Sequence, residues 1–98
     1  MASYQLTSLA VKDLSNIWNY TFDTWSEEQA DTYFQELISG FDLIADQQTI
    51  GLKYPSIRAD LLGLQVNRHI IFYRIITKDQ IEITRIVHER MDLKSSIE

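Results

Sequence analysis

His69-Ile70-Ile71-Phe72-Tyr73-Arg74-Ile75-Ile76, the polar link Thr77-Lys78-Asp79-Gln80, and Ile81-Glu82-Ile83-Thr84-Arg85-Ile86-Val87-His88 together decide the fold. β-Branched and aromatic side chains fill both outer runs, and they suit a pleated, half-buried surface. A short polar turn between two such runs predicts an antiparallel hairpin. The first run opens on His69 and the second closes on His88, so pairing brings the two imidazoles to one end of the sheet. Glu89-Arg90-Met91-Asp92 continues from that end.

Upstream, Leu62, Leu64 and Val66 alternate with Gly63 and Gln65, which predicts a further strand, with Asn67-Arg68 as the turn into the hairpin. Residues 47–60 are irregular, contain Gly51 and Pro55, and read as a loop. Before it, Ala10, Leu14, Ile17, Trp18, Thr21 and Trp25 recur at helical spacing and predict one buried stripe, with Ser8 as the cap. Ser26-Glu27-Glu28-Gln29 is a capping box, Trp25 stands where a hydrophobic staple would, and the two glutamates favour the positive helix end. A second apolar stripe runs from Ala30 to Ile44, ending near Asp46. Tyr4 and Leu6 alternate with polar neighbours as a first strand. The order β-α-α-β-β-β predicts one α+β domain over residues 1–98, a helical hairpin packed on an antiparallel sheet. Residues 93–98 are expected to be a frayed tail or one helical turn.

The chain has 98 residues, no cysteine and a net charge of −5. Lack of cysteine excludes disulfide and thiolate chemistry and suits a reducing cytoplasm, the expected location. No apolar run is long enough to span a membrane, and the first residues do not read as a signal peptide. Charge is uneven: residues 1–50 hold eight acids and one base, residues 51–98 eight bases and six acids. An acidic protein is repelled by phosphate backbones, so direct nucleic-acid binding is not expected.

No phosphate loop, His-Glu-x-x-His helix or nucleophile elbow occurs. Two histidines without a third ligand make a weak metal site, and neither metal nor cofactor is expected. Arg58, Arg68, Arg74, Arg85 and Arg90 could form an anion-binding face, or the strand arginines could pair with Glu82 and with the acidic helices. Trp18, Tyr20, Phe22 and Trp25 carry more aromatic surface than one helix face hides, which points to an exposed partner groove, although core packing accounts for Trp18.

The strand opening His69-Ile70-Ile71-Phe72-Tyr73-Arg74 and the ending Arg85-Ile86-Val87-His88 with Arg90-Met91-Asp92 resemble the ParE toxins of bacterial toxin–antitoxin pairs, within the RelE/ParE superfamily. Weaker matches at Leu6-Thr7, Asp13-Leu14, Gln29-Ala30 and Ile50-Gly51 extend the resemblance nearly end to end. It implies a ParD-like antitoxin as partner and poisoning of DNA gyrase with no catalysis of the chain's own. The superfamily's other branch implies an alternative, a ribosome-dependent mRNA endonuclease of RelE type, for which His88 and Arg90 fall at suitable positions. ParE-like chains usually show Gly-Arg where this one has Gly51-Leu52, and often an arginine where Leu62 stands. A weakened toxin that only binds its antitoxin is therefore a third reading.

On this resemblance the antitoxin segment is expected across Tyr20, Trp25 and Tyr33, with charge pairing at Arg58, Arg74 and Arg85. The target is expected to engage His88, Arg90, Met91 and Asp92, with Arg58 nearby. A homodimer covering the aromatic groove is an alternative to the antitoxin.

Overall fold

The computed structural model describes residues 3–91. Its elements are β1 (Ser3–Leu6), α1 (Ser8–Thr24), α2 (Glu27–Asp46), β2 (Leu52–Lys53), β3 (Leu62–Val66), β4 (His69–Thr77) and β5 (Gln80–His88). The strands form one sheet in the order β1-β5-β4-β3-β2, and the helical hairpin packs on it. The α+β architecture and the element order match the expectation, with two differences. The sheet is mixed, because β1 runs parallel to β5 (Tyr4 opposite Ile81, Leu6 opposite Ile83). Parallel neighbours need a long connection, and almost the entire chain lies between these two. The expected loop 47–60 also contributes β2, two residues paired with Gly63 and Leu62.

Helix α1 is capped by Thr7, not Ser8. The Thr7 hydroxyl accepts from Ala10 N–H (3.1 Å) and donates to the Thr84 carbonyl (2.7 Å), so a single side chain starts the helix and ties it to β5. Ser26 caps α2 as the capping box predicts, accepting from Gln29 N–H at 3.1 Å. The two apolar stripes bury Ala10, Leu37, Phe41 and Ile44 against Ile71, Tyr73, Ile81 and Ile83. Trp25 departs from its expected burial: α1 stops at Thr24, and the indole at the junction is 69% exposed. Close approach of α2 to the sheet depends on Gly40, where a Cβ would lie 2.9 Å from Ile71 Cδ1 and Val66 Cγ2.

The outer face of the sheet is covered too. Leu61, Ile70, Phe72 and Val87 form a second cluster with Tyr54 and Ile57 from the loop before β3. Two covered faces explain why Ile70 to Tyr73 are buried without alternation. In β5, Arg85 opposes Phe72 while Ile83 opposes Tyr73, leaving Thr84 as an extra residue, a bulge whose hydroxyl donates to Phe72 O (3.2 Å).

Candidate functional site

Pairing of β4 with β5 sets His69 opposite His88, as the hairpin reading requires. Their rings meet edge to face, with centroids 5.3 Å apart. Tyr33 of α2 reaches this pair, its hydroxyl 2.5 Å from His69 Nδ1, and also accepts from Arg68 N–H at 3.3 Å. Burial, and then the neighbouring His88, lower the His69 pKa from 6.5 to about 4, against smaller opposing effects of Glu89 and Asp13. His69 is therefore a neutral imidazole near pH 7. Burial likewise raises the Tyr33 pKa, so its hydroxyl keeps its proton.

From this corner a groove of about 830 Å³ runs between the two helices. Ile17 and Tyr20 of α1, with Trp25 at the junction after it, face Gln29 and Tyr33 of α2 across it, and Arg68, His69 and His88 lie at its sheet end. Tyr20 is 68% exposed, which leaves two large rings on the groove wall unburied. Trp18 sits behind them, half-buried, its Nε1–H donating to Asp31 across the hairpin (3.1 Å) and its ring stacked on Phe22.

The structure groups these residues differently from the sequence expectation. Tyr20, Trp25 and Tyr33 are expected to meet the antitoxin and His88 the target, and all four line a single groove. Arg58 is expected both near His88 and with Arg74 and Arg85; it lines a second depression of about 320 Å³ with Arg74 and Arg85, and is not among the residues lining the groove of His88. There Arg74 pairs with Asp60 (3.2 Å) and with Glu82 (3.3 Å), its neighbour across the hairpin. Arg85 pairs with Asp13 of α1 (2.7 Å). Both arginines thus take the internal partners open to strand arginines. Arg90 and Met91 are exposed just past β5, where Arg90 N–H donates to His88 Nδ1 (3.1 Å) and Met91 N–H to His88 O (3.0 Å). Asp92 lies outside the described residues.

Sequence reasoning misses the roles of Asp13 as partner of Arg85 and of His69 as partner of Tyr33. Asp13 shows in the sequence only as part of the weak family match Asp13-Leu14, with nothing to link it to Arg85. His69 reads as a strand end, but its link to Tyr33 joins residues 36 positions apart and leaves no local signal. Among the described residues no three metal-ligating side chains come together, and no helix is long and apolar enough to cross a membrane.

A family model described as "ParE toxin of type II toxin-antitoxin system, parDE" matches residues 4–93. The chain belongs to the ParE toxin family. A protein named Toxin ParE1 from Mycobacterium tuberculosis is 33% identical over 94 residues, covering 96% of each chain. Toxin ParE1 of Caulobacter vibrioides is 31% identical over 97 residues, covering 99% of each. Among solved structures, a chain of the chromosomal ParDE system from P. aeruginosa superposes with a TM-score of 0.76 at 21% identity, over 90% of this chain and 96% of that one. This likeness establishes the shared ParE fold. In ParE terms, the groove lies between the helical hairpin and the sheet end that carries the strand signatures.

Proposed function

We propose that this ParE-family chain poisons DNA gyrase without catalysis of its own, and that a ParD-like antitoxin neutralises it by filling the helical groove. Family membership supports the toxin class, and likeness to a chain of the P. aeruginosa ParDE system supports the antitoxin partner. The observation that carries the partner reading is the exposure of Tyr20 and Trp25 on a groove wall. Exposed aromatic anchors of this kind dominate protein interfaces. An amphipathic segment, disordered when free, would fold into the groove. Acidic residues of that segment would reach Arg58 and the depression it shares with Arg74 and Arg85.

His88 shares the groove, Arg90 and Met91 are exposed and bonded to His88 through their backbone N–H groups, and Asp92 is next in sequence. These are the proposed gyrase contacts, so an antitoxin segment lying on Tyr20 and Tyr33 would also cover His88. Neutralisation then works by occlusion, with no change of fold required. The net charge of −5 favours a protein target over RNA.

The test is a supercoiling assay with purified chain, gyrase, ATP and relaxed plasmid, ended with detergent and protease. Chain-dependent linear DNA, suppressed by prior addition of antitoxin, is the expected result. Undiminished supercoiling without linear DNA would overturn gyrase poisoning. A second reading, antitoxin binding without toxicity, draws on one observation: Leu52 is 72% exposed where ParE-like chains usually carry arginine. Its loss of charge is not compensated by packing. Restoring the charge with Leu52→Arg should raise trapped cleavage in the same assay.

A further inference from the structure

The hydrogen bonds at the sheet end of the groove suit one arrangement of protons. The Tyr33 hydroxyl accepts from Arg68 N–H and, with His69 as its Nε2–H tautomer, donates its own proton to His69 Nδ1. A neutral His69 then carries its own proton on Nε2. His88 Nδ1 accepts from Arg90 N–H, so its proton also sits on Nε2. Neither Nε2–H, nor the Arg68 guanidinium, has a hydrogen-bond partner among the described residues.

The acids around them are already engaged. Glu89 accepts from Gln65 Nε2 (3.0 Å), Glu36 from Asn67 Nδ2 (3.3 Å), and Asp13 from Arg85. Three donors, one of them charged, therefore line one groove end with no acceptor of the chain's own among the described residues. A carboxylate has two oxygens and about four acceptor sites, which suits a guanidinium fork beside two imidazole N–H groups. Phosphate of a nucleic acid fits less well, because it belongs to a polyanion, which the net charge of −5 and the groove's Glu28 and Glu36 repel more than a single carboxylate on an otherwise apolar segment.

We infer that Arg68, His69 and His88 form a carboxylate receptor, which seats an aspartate or glutamate side chain of the partner segment while its apolar face lies on Tyr20 and Trp25. This rests on the proposed function only for which protein fills the groove.

The test uses indole-3-propionate and its neutral amide as probes of the free protein, whose outcome does not depend on gyrase or on an antitoxin. Long-range ¹H–¹⁵N imidazole spectra at pH 7 should show both histidines as Nε2–H tautomers. The carboxylate should shift both rings and bind about tenfold or more tightly than the amide, the scale of a charged hydrogen bond. Arg68→Gln should remove most of that difference and leave amide binding unchanged. Equal binding of the two probes, binding of neither, or an Nδ1–H tautomer at either histidine would overturn the receptor. Tighter binding of phenyl phosphate, displaced by a short RNA, would overturn it in favour of a phosphate site. Loss of gyrase poisoning with the carboxylate preference intact would sink only the proposed function.

Discussion

Asp13 and Arg85, 72 positions apart in sequence, form a two-pronged ion pair: Nε and Nη2 of the guanidinium donate to the two carboxylate oxygens at 2.7 and 3.0 Å. The same carboxylate accepts from Ile86 N–H (3.0 Å). β1 pairs with β5 only as far as Ile83, so a helical side chain satisfies a backbone donor that the sheet edge leaves over. Hydrogen bonding to Asp13 raises the Arg85 pKa further. Asp13→Asn keeps the shape and removes the charge. It should cost about 2 kcal/mol, read as a lower denaturation midpoint at unchanged slope. An unshifted midpoint would show that the pair is fully screened.

His69 should make stability depend on pH. Its folded pKa of about 4 lies below the unfolded value of 6.5, so between these values the unfolded chain binds more protons. The stabilisation is whole above pH 6.5 and is lost as pH falls toward 4. Allowing for the ring's partial exposure, the loss should be about 1–2 kcal/mol. His69→Gln should flatten the curve relative to wild type in that window. Parallel curves for the two proteins would refute the assignment.

Tyr73 is fully buried, and its hydroxyl donates to Gln48 O (2.6 Å) and accepts from Gly51 N–H (3.0 Å). Tyr73→Phe strands both backbone groups and should cost about 1–3 kcal/mol. Gly51→Ala should destabilise similarly from the other side, because a Cβ would lie 2.7 Å from that hydroxyl and 2.9 Å from Gly63 O. Thermal midpoints should fall by about 4–8 °C for each kcal/mol lost. No shift in either variant would remove this clamp from the account of the loop.

Tyr20→Ala and Trp25→Ala alter exposed rings, so their effect on stability should stay within about 0.5 kcal/mol. Antitoxin affinity should nonetheless fall by about tenfold or more if the groove is the docking surface. Calorimetry of the complex alongside thermal denaturation of the free chain separates the two effects. Unchanged affinity in the double variant would move the antitoxin elsewhere.

These residues also mark what the sequence can reveal. Periodicity locates α2, β3, β4 and β5 because each presents an apolar face whose spacing survives in one dimension. β2 is invisible because two residues carry no period, and Thr7 loses to Ser8 because both are good caps and only the Thr84 carbonyl decides between them. Legibility of the site is uneven for a related reason. Exposed aromatics and a histidine at each hairpin end are visible locally. That they share one groove depends on the angle of a helical hairpin over a sheet, and tertiary packing decides that Arg58 shares a depression with Arg74 and Arg85 and not the groove of His88.

The extra residue at Thr84 has a consequence for how relatives of this chain are compared. Ile81 and Ile83 face the helices at odd positions, whereas Ile86 and His88 do so at even ones. Loss of the Thr84 codon would set Arg85 directly after Ile83, opposite Phe72, and restore plain alternation, so Ile86 and His88 would keep the face they have. A relative one residue shorter here therefore takes a gap within β5, and leaving that gap out would set His88 beside a residue of the opposite side of the sheet.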